Sequence, residues 1–491
     1  MEDCKYQKEW CGKILFIVSA VLFCAGIYFV IRYPFLQVDE WFTKGLIDLP
    51  LIEGIRITII DVHPPLYYEI PKGIVTVLAA VGIPFNEITA MKLASAIPYA
   101  IIMAVSYLVV RKQYGWFACG FFVFSTLIMC EFFTYFFIAR MYSWGLLFIF
   151  LAFLCIRPIL EDNDLKYWIL LSFFTVLGSY THYFVAVALI CLYILLFVSE
   201  VVLGGDQRMQ HFKNWLISTV IGIVCYVPWI FKLLPQLNKV HNDYWVPPLT
   251  IEQLLSGFNF LFVSNMPIFM GLILLVICGA AFIWYCRKGD DELLSKYVLM
   301  GFLTVMMTIA TLAALSVTYK PIYQDRYVLP SVILLWFSIS IFISRLDFKK
   351  VIVPLLIIVL IAGAFNVSDQ FSMMHDDYDE TVAVMNSLAK INHPQNIVVI
   401  EGMQKYMRFN EYLNETTIYT NFHINNITAE PVYTQILGLN NTTFNIPDDI
   451  ADNKVYFICD KKTDYIWHPD GYKVTKNEKV LNSRIVLMKS K

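Results

Sequence analysis

Runs of about twenty apolar residues recur from Ile14 to Val367 and then stop. Crossing a bilayer core about 30 Å thick takes roughly 20 residues of helix, and in lipid every backbone N–H and C=O must be satisfied internally. Residues 1–367 therefore read as a bundle of membrane-crossing helices. Residues 368–491 are polar, Asn-rich and strand-like, a soluble domain of ordinary size. Composition agrees: 58% of the 491 residues are apolar and 15% are charged, whereas a soluble domain carries about 25% charged residues. A net charge of −2 gives no bulk argument for a nucleic-acid partner. Most of the eleven cysteines lie inside apolar runs, where they read as small hydrophobes, and no Cys/His spacing suits a metal.

Eleven runs are long enough to cross: 14–33, 91–110, 117–136, 141–157, 166–182, 183–203, 214–235, 261–286, 297–318, 327–344 and 351–367. A twelfth stretch, from Pro65 to Pro84, is apolar but carries Glu69, Pro71, Lys72 and two glycines. The positive-inside rule decides its placement. With eleven passes and a cytoplasmic N-terminus, the inside loops hold Arg111, Lys112, Arg157, Lys166, Arg208, Lys213, Arg287, Lys288, Lys296, Arg345, Lys349 and Lys350. A twelfth pass would turn those loops outward, so 65–84 is expected to lie in the outer interface. The loop 34–90 and the C-terminal domain are then external, and the glycosylation-type triplets at Asn414, Asn426, Asn440 and Asn441 are compatible with that side. The tail reads as a small α/β domain. A helix is expected over Asp377–Ile391, another over Gln404–Leu413, and strands at Asn396–Ile400, Thr417–Thr420, Lys454–Cys459 and Arg484–Met488. It has no phosphate-binding glycine loop and no nucleophile elbow, so its expected role is to cover or gate a membrane site.

Polar residues that could do chemistry gather at the outer side. The first external loop holds Asp39 and Glu40, a helix over Glu40–Leu49, then Asp61, His63, two prolines, Tyr67 and Tyr68. A carboxylate beside the bilayer surface is partly desolvated, which makes it a better base. His63 can donate or accept a proton, and the tyrosines offer hydroxyls and ring faces to a sugar. The bland alternatives are a carboxylate pair favoured by a helix N-terminus and a hydrogen-bonded loop histidine. Further along, Arg140 and Tyr142 follow the third run, His182 follows the fifth, and Lys320, Arg326 and Tyr327 precede or open the tenth. Cations there suit a phosphate, although Arg, Lys and Tyr also serve as interfacial anchors.

On Asp39-Glu40, the run from His63 to Tyr68, Ala139–Tyr142, Arg326-Tyr327 and the soluble tail, the chain resembles the GT-C superfamily of membrane glycosyltransferases. It is most similar to the branch of protein mannosyltransferases and the aminoarabinose transferase of lipid A. That resemblance implies a polyprenyl- or dolichyl-phosphate sugar donor, an outward-facing site and an inverting transfer to an acceptor hydroxyl on a protein, lipid or glycan. It makes Asp39 the general base, lets Glu40 and His63 shape the site, and sets Arg140, with Arg326, on the donor phosphate. One position departs from the pattern: two residues before Arg140, where the family carries an acid or amide, stands Ile138. Glu131 is too far upstream to be a sure substitute, so a metal site built from two carboxylates is in doubt. No cofactor is expected, no nucleotide is required, and a prokaryotic plasma membrane suits the short loops. Two other readings stand beside this one. A secondary transporter would put charges at mid-bilayer and show inverted repeats, and a lipid-linked oligosaccharide ligase or polymerase would share the fold.

Overall fold

The computed structural model describes residues 2–242, 246–288, 291–421, 436, 454–462, 466, 471–480 and 483–490. Nine helices among them are long and apolar enough to cross a membrane. One, Glu87–Ile128, has 42 residues, about twice the length a bilayer needs. It turns back on itself at Gly115, whose φ of 86° only glycine adopts freely. The ring contacts show the reversal. Tyr107 and Trp116, one on each side of the turn, both meet Phe16, and they lie 5.7 Å from each other. A further helix, Leu165–Thr181, has 17 residues. With the folded pair counted as two and that helix added, the described residues hold a helix at each of the eleven apolar runs read from the sequence. The chain is a multi-pass, mostly helical membrane protein.

Chain-order labels follow. Helix α1 (Glu2–Arg32) is followed along the chain by the short helices α2 (Val38–Asp48), α3 (Leu51–Ile60) and α4 (Leu66–Ala80). Next are α5 (Glu87–Val105), α6 (Arg111–Ile128), α7 (Phe132–Phe137), α8 (Tyr142–Leu154), α9 (Ile156–Asp162), α10 (Leu165–Thr181) and α11 (Tyr183–Leu196). The bundle is completed by α12 (Arg208–Asn242), α13 (Ile251–Phe260), α14 (Met270–Lys288), α15 (Glu292–Thr318), α16 (Asp325–Ile343) and α17 (Val353–Ala389). At 15 residues with an internal proline, α4 is about 22 Å long, too short for a full pass.

Two compact units emerge: Met1–Arg32 with Thr58–Phe371, and Tyr33–Ile57 with Ser372–Lys491. In the first, α1 and α6 pack backbone to backbone. A Cβ on Gly12 would collide with the Trp116 carbonyl, and one on Gly120 with the Gly12 carbonyl. Small residues of this kind let helices approach in lipid, where no hydrophobic drive pushes them together.

The second unit contains a five-stranded sheet of β1 (Asn396–Glu401), β2 (Thr417–Asn421), β3 (Lys454–Asp460), β4 (Tyr472–Val480) and β5 (Ser483–Ser490) in the order β2-β1-β3-β5-β4. The first three run parallel, while β5 and β4 are antiparallel. Alternation along β1 covers both faces: Val398 and Ile400 pack on Leu388 and Phe409, and Ile397 and Val399 share a core with Phe457 and Val486. The sequence reading misses β4, because its interior residues are exposed and rich in Lys. Those are the properties of a protected edge strand. A separate helix at Asp377–Ile391 is not seen either. With no Gly or Pro after Gly363, α17 runs unbroken to Ala389.

Residues 33–57, read as part of an external loop, cluster with the tail. Gln37 donates to Asp377 at 2.9 Å, Lys44 pairs with Glu411 at 3.1 Å, and Trp41 meets Tyr412 edge-on. Helix α18 (Met403–Phe409) packs beside α2. Asn414 is exposed and accepts from the Asn392 amide. The triplets at Asn426, Asn440 and Asn441 lie outside the described residues.

Candidate functional site

The polar centre of the first unit is built on two breaks in its helices. The first follows α6, where Cys130 takes a φ of 52° and the chain re-enters a helix for only six residues. A helix end leaves carbonyls unpaired, and two side chains of α17, one turn apart, take them up. The Asn366 amide donates to the Ile128 and Cys130 carbonyls, and Gln370 also donates to Cys130. The Gln370 carbonyl oxygen in turn accepts from the amide and the hydroxyl of Thr134, both at 2.9 Å. Thus clamped, the segment delivers Arg140, only 5% exposed, just ahead of α8. The second break separates α10 from α11. There His182 is extended (φ −160°, ψ 137°) and its Nδ1 accepts from the Phe184 amide at 3.3 Å. The neutral ring therefore carries its proton on Nε2.

Around His182 the predicted residues converge. His63 lies 6.2 Å away between ring centroids, Tyr142 5.5 Å and Tyr327 5.6 Å. The charges that act on His182 come from His63, Arg140 and Arg326. His63 is held by Asp61, with Nδ1 2.9 Å from the carboxylate, so its Nε2 edge faces away from that partner. Tyr327 stacks on Phe184 at 4.4 Å, and Arg326 lies over the Tyr327 ring at 5.8 Å. Two cations and two imidazoles in a largely buried cluster among aromatic rings form an anion-attracting environment of low dielectric, where each charge acts more strongly than in water.

Other predicted residues fall elsewhere. Tyr67 and Tyr68 are 0% and 2% exposed; Tyr67 bonds Ser95 at 3.2 Å, so these rings belong to the packing between α4 and α5 and are not open faces for a sugar. Lys320 follows the last turn of α15, its amide bonded back to Leu315, and is not part of the contact chain around His182. Asp39 and Glu40 open α2 in the second unit. Glu40 is wholly buried, and its carboxylate accepts from the Gln37 amide at 2.7 Å, forming a capping box.

Other buried or half-buried polar residues of the first unit are weak or silent in a linear reading. Lys92 lies in α5 and is 1% exposed, one turn from Ser95. A buried cation in a membrane helix is a functional signal by default, and that rule could have found it inside the run 91–110. Glu131 accepts from Ser264 at 2.9 Å and acts electrostatically on Asp325, the residue before Arg326. Gln236 of α12 donates to the Thr58 and Ile59 carbonyls at 2.7 and 3.1 Å and accepts from the Tyr183 hydroxyl, which in turn accepts from Trp229. No motif marks Gln236; only the tertiary structure brings it there. Among the described residues, no group of three His, Cys, Asp or Glu side chains could hold a metal.

No family model and no curated protein matches the sequence. Solved structures do. The structure of ArnT from Cupriavidus metallidurans bound to undecaprenyl phosphate aligns over 96% of this chain and 97% of its own, with a TM-score of 0.62 at 10% identity. The same protein in its apo state gives 0.48 at 12% identity over the same shares. The Archaeoglobus fulgidus oligosaccharyltransferase, in complex with Zn and sulfate, gives 0.44 at 11% identity, covering 90% of this chain and 67% of that one. The end-to-end match to ArnT shows that the chain has the same fold as that protein.

Proposed function

We propose that this chain is an inverting glycosyltransferase. It moves a sugar from a polyprenyl-phosphate donor to an acceptor hydroxyl at the outer face of a plasma membrane, with its N-terminus cytoplasmic and its C-terminal unit external. The observation that carries the reading is that His63 lies beside the buried His182, within electrostatic reach of Arg140 and Arg326, inside a membrane bundle. The undecaprenyl phosphate bound in the ArnT structure, on the same fold, supports the class of donor.

In this reading the acceptor oxygen attacks the anomeric carbon, the bond from that carbon to the phosphate oxygen breaks, and polyprenyl phosphate leaves with both bonding electrons. Positive charge builds on the ring while negative charge builds on the phosphate. Arg140 and Arg326 stabilise the latter, with Lys92 as a further buried cation, and placed donors of this kind are typically worth about 10²–10³-fold each. The Asp61–His63 pair and His182 orient the phosphate and the sugar. The acceptor proton goes to Asp39, assigned as base by the family resemblance; Glu40 holds the first turn of its helix. A placed base contributes about 10²–10⁴-fold. The transfer as written draws on no cofactor.

The test is a panel of polyprenyl-phosphate sugars incubated with the purified full-length protein and a crude envelope acceptor, with release of polyprenyl phosphate followed by mass spectrometry. Wild type should release it from one donor, Asp39→Asn should cut release by roughly 100-fold or more, and Arg140→Gln should raise the donor KM. Equal release from Asp39→Asn would remove that residue from its role and leave the class intact. Silence across the panel from folded protein would move the reading to an oligosaccharide donor or to transport.

A further inference from the structure

Far from the polar centre, the first half of α1 opens a second feature. An apolar cleft of 380 Å³ lies between α1, α6 and α17, lined by Trp10, Cys11, Leu15, Phe124, Leu356 and Leu360. Its volume is within the range of about 300–1,000 Å³ typical of small-ligand sites. From Cys11 to Gly26, which packs against Phe137 close to Arg140, α1 rises roughly 22 Å. The cleft is therefore separate from the site assigned to the donor.

Cations from three parts of the chain gather at its mouth. Lys8 of α1 donates to the Ser344 and Leu346 carbonyls in the turn between α16 and α17, and it lies within electrostatic reach of Arg345 and Asp347. Lys349 and Lys350 follow in the first turns leading to α17, about two helical turns before Leu356 and about three before Leu360 on the cleft wall. Lys13 sits over the Trp10 ring at 4.8 Å and the Trp116 ring at 5.6 Å, and Arg111 stacks on Tyr107 at 4.1 Å. Like charges brought together repel unless an anion joins them. Asp347, which caps the Lys350 amide at 2.8 Å, brings one negative charge among them, fewer than the cations present. Among the described residues, Arg345, Lys349 and Lys350 are exposed and take part in no ion pair.

The vertical order of these groups is informative. Tryptophans settle at the level of lipid headgroups, and Trp10, 47% exposed, marks that level beside Lys8 and Lys13. From Trp10 the lining descends along α1 to Val18, about 12 Å of rise, and becomes wholly apolar. A charged mouth at headgroup depth above an apolar slot matches an amphiphile with a phosphate at one end and a hydrocarbon chain at the other. Basic pockets between membrane helices bind such headgroups.

We propose that this cleft is a binding site for one anionic glycerophospholipid. The phosphodiester pairs with Arg345, Lys349 and Lys350, and one acyl chain lies along Leu15, Phe124 and Leu360. A general attraction of basic loops to an anionic surface would spread over many lipids; a built site holds one.

The experiment uses full-length protein, delipidated in a nonionic detergent and titrated with phosphatidylglycerol or with phosphatidylethanolamine of the same acyl chains. Retained lipid is counted by native mass spectrometry. One phosphatidylglycerol should survive at collision energies that strip phosphatidylethanolamine. The triple variant Arg345→Gln, Lys349→Gln, Lys350→Gln should lower its occupancy roughly tenfold. Leu360→Trp, which fills the slot and leaves every cation in place, should lower it as well, so a triple variant that fails to fold leaves the idea testable. Equal retention of the two lipids by wild type, or unchanged phosphatidylglycerol binding in Leu360→Trp, overturns it.

Discussion

Helices α16 and α12 are both apolar enough to cross a bilayer, yet 94% of the apolar stretch of α16 is buried in the protein against 11% for α12. Hydropathy does not separate them. In lipid, a helix gains nothing from hiding apolar surface, so burial is decided by close fit and by polar contacts. Along α16, Ser331, Ser338 and Ser340 are fully buried small residues, and Trp336 reaches the Leu261 carbonyl at 3.0 Å. Along α12, Val224 and Phe231 are more than half exposed. The buried helix presents Arg326 and Tyr327 to the site. The rim helix turns Trp229 and Gln236 inward toward Tyr183, while Asn214 and Ser218 nearer its start are buried against Asn163 and Tyr193.

Breaking the core helix should have the largest effect. Trp336→Ala removes a buried ring and the hydrogen bond to Leu261, and should cost about 3–5 kcal/mol, read as a fall in melting temperature of the detergent-solubilised protein. A loss below 1 kcal/mol would mean that α16 is less central than its burial implies. An intermediate effect is expected from Gln236→Leu. Its loss takes the side-chain donor from the Thr58 and Ile59 carbonyls and the acceptor from the Tyr183 hydroxyl, which keeps its bond from Trp229; the penalty is about 1–3 kcal/mol. Because those carbonyls lie just before Asp61 and His63, donor turnover should fall more than global stability does, and Gln236→Glu should restore part of the acceptor function toward Tyr183 but not the donation. Equal turnover in wild type and Gln236→Leu would confine the residue to a structural part. The smallest effect belongs to Phe231→Ala on the lipid side of α12, within about 0.5 kcal/mol of wild type. A shift beyond 2 kcal/mol there would reveal a partner covering that face.

The elements that the sequence makes plain are those whose cause is local. An apolar run of the right length must be a helix in lipid, so the eleven passes could be counted, and Gly115 did not need to be recognised for its two neighbours to be separated. The strands β1, β3 and β5 also follow from their apolar content, while β4 carries too little apolar surface to announce itself. The membership of residues 33–57 in the second unit could not be read locally. It rests on Lys44 meeting Glu411 and Gln37 meeting Asp377, pairings between segments that are hundreds of residues apart.

The site divides along the same line. Residue type and position in a run were enough to single out His63, Arg140, His182 and Arg326, because they interrupt apolar stretches; that Arg140 and His182 are buried and not interfacial anchors came from the structure. Which of them meet was decided by tertiary structure. Arg326 and Arg140 act on the same histidine since α16 packs against α8, and that packing depends on shape along two whole helices. The same holds for what was displaced from the expectation. Tyr67 and Tyr68 are buried because α5 covers them, and Glu40 turns to its own helix start. Lys92 was hidden in an apolar run until burial showed it. One-dimensional order fixes where the chain enters lipid, through a free energy summed over each segment by itself. The meeting of distant charges is a property of how those segments pack, and no single segment carries it.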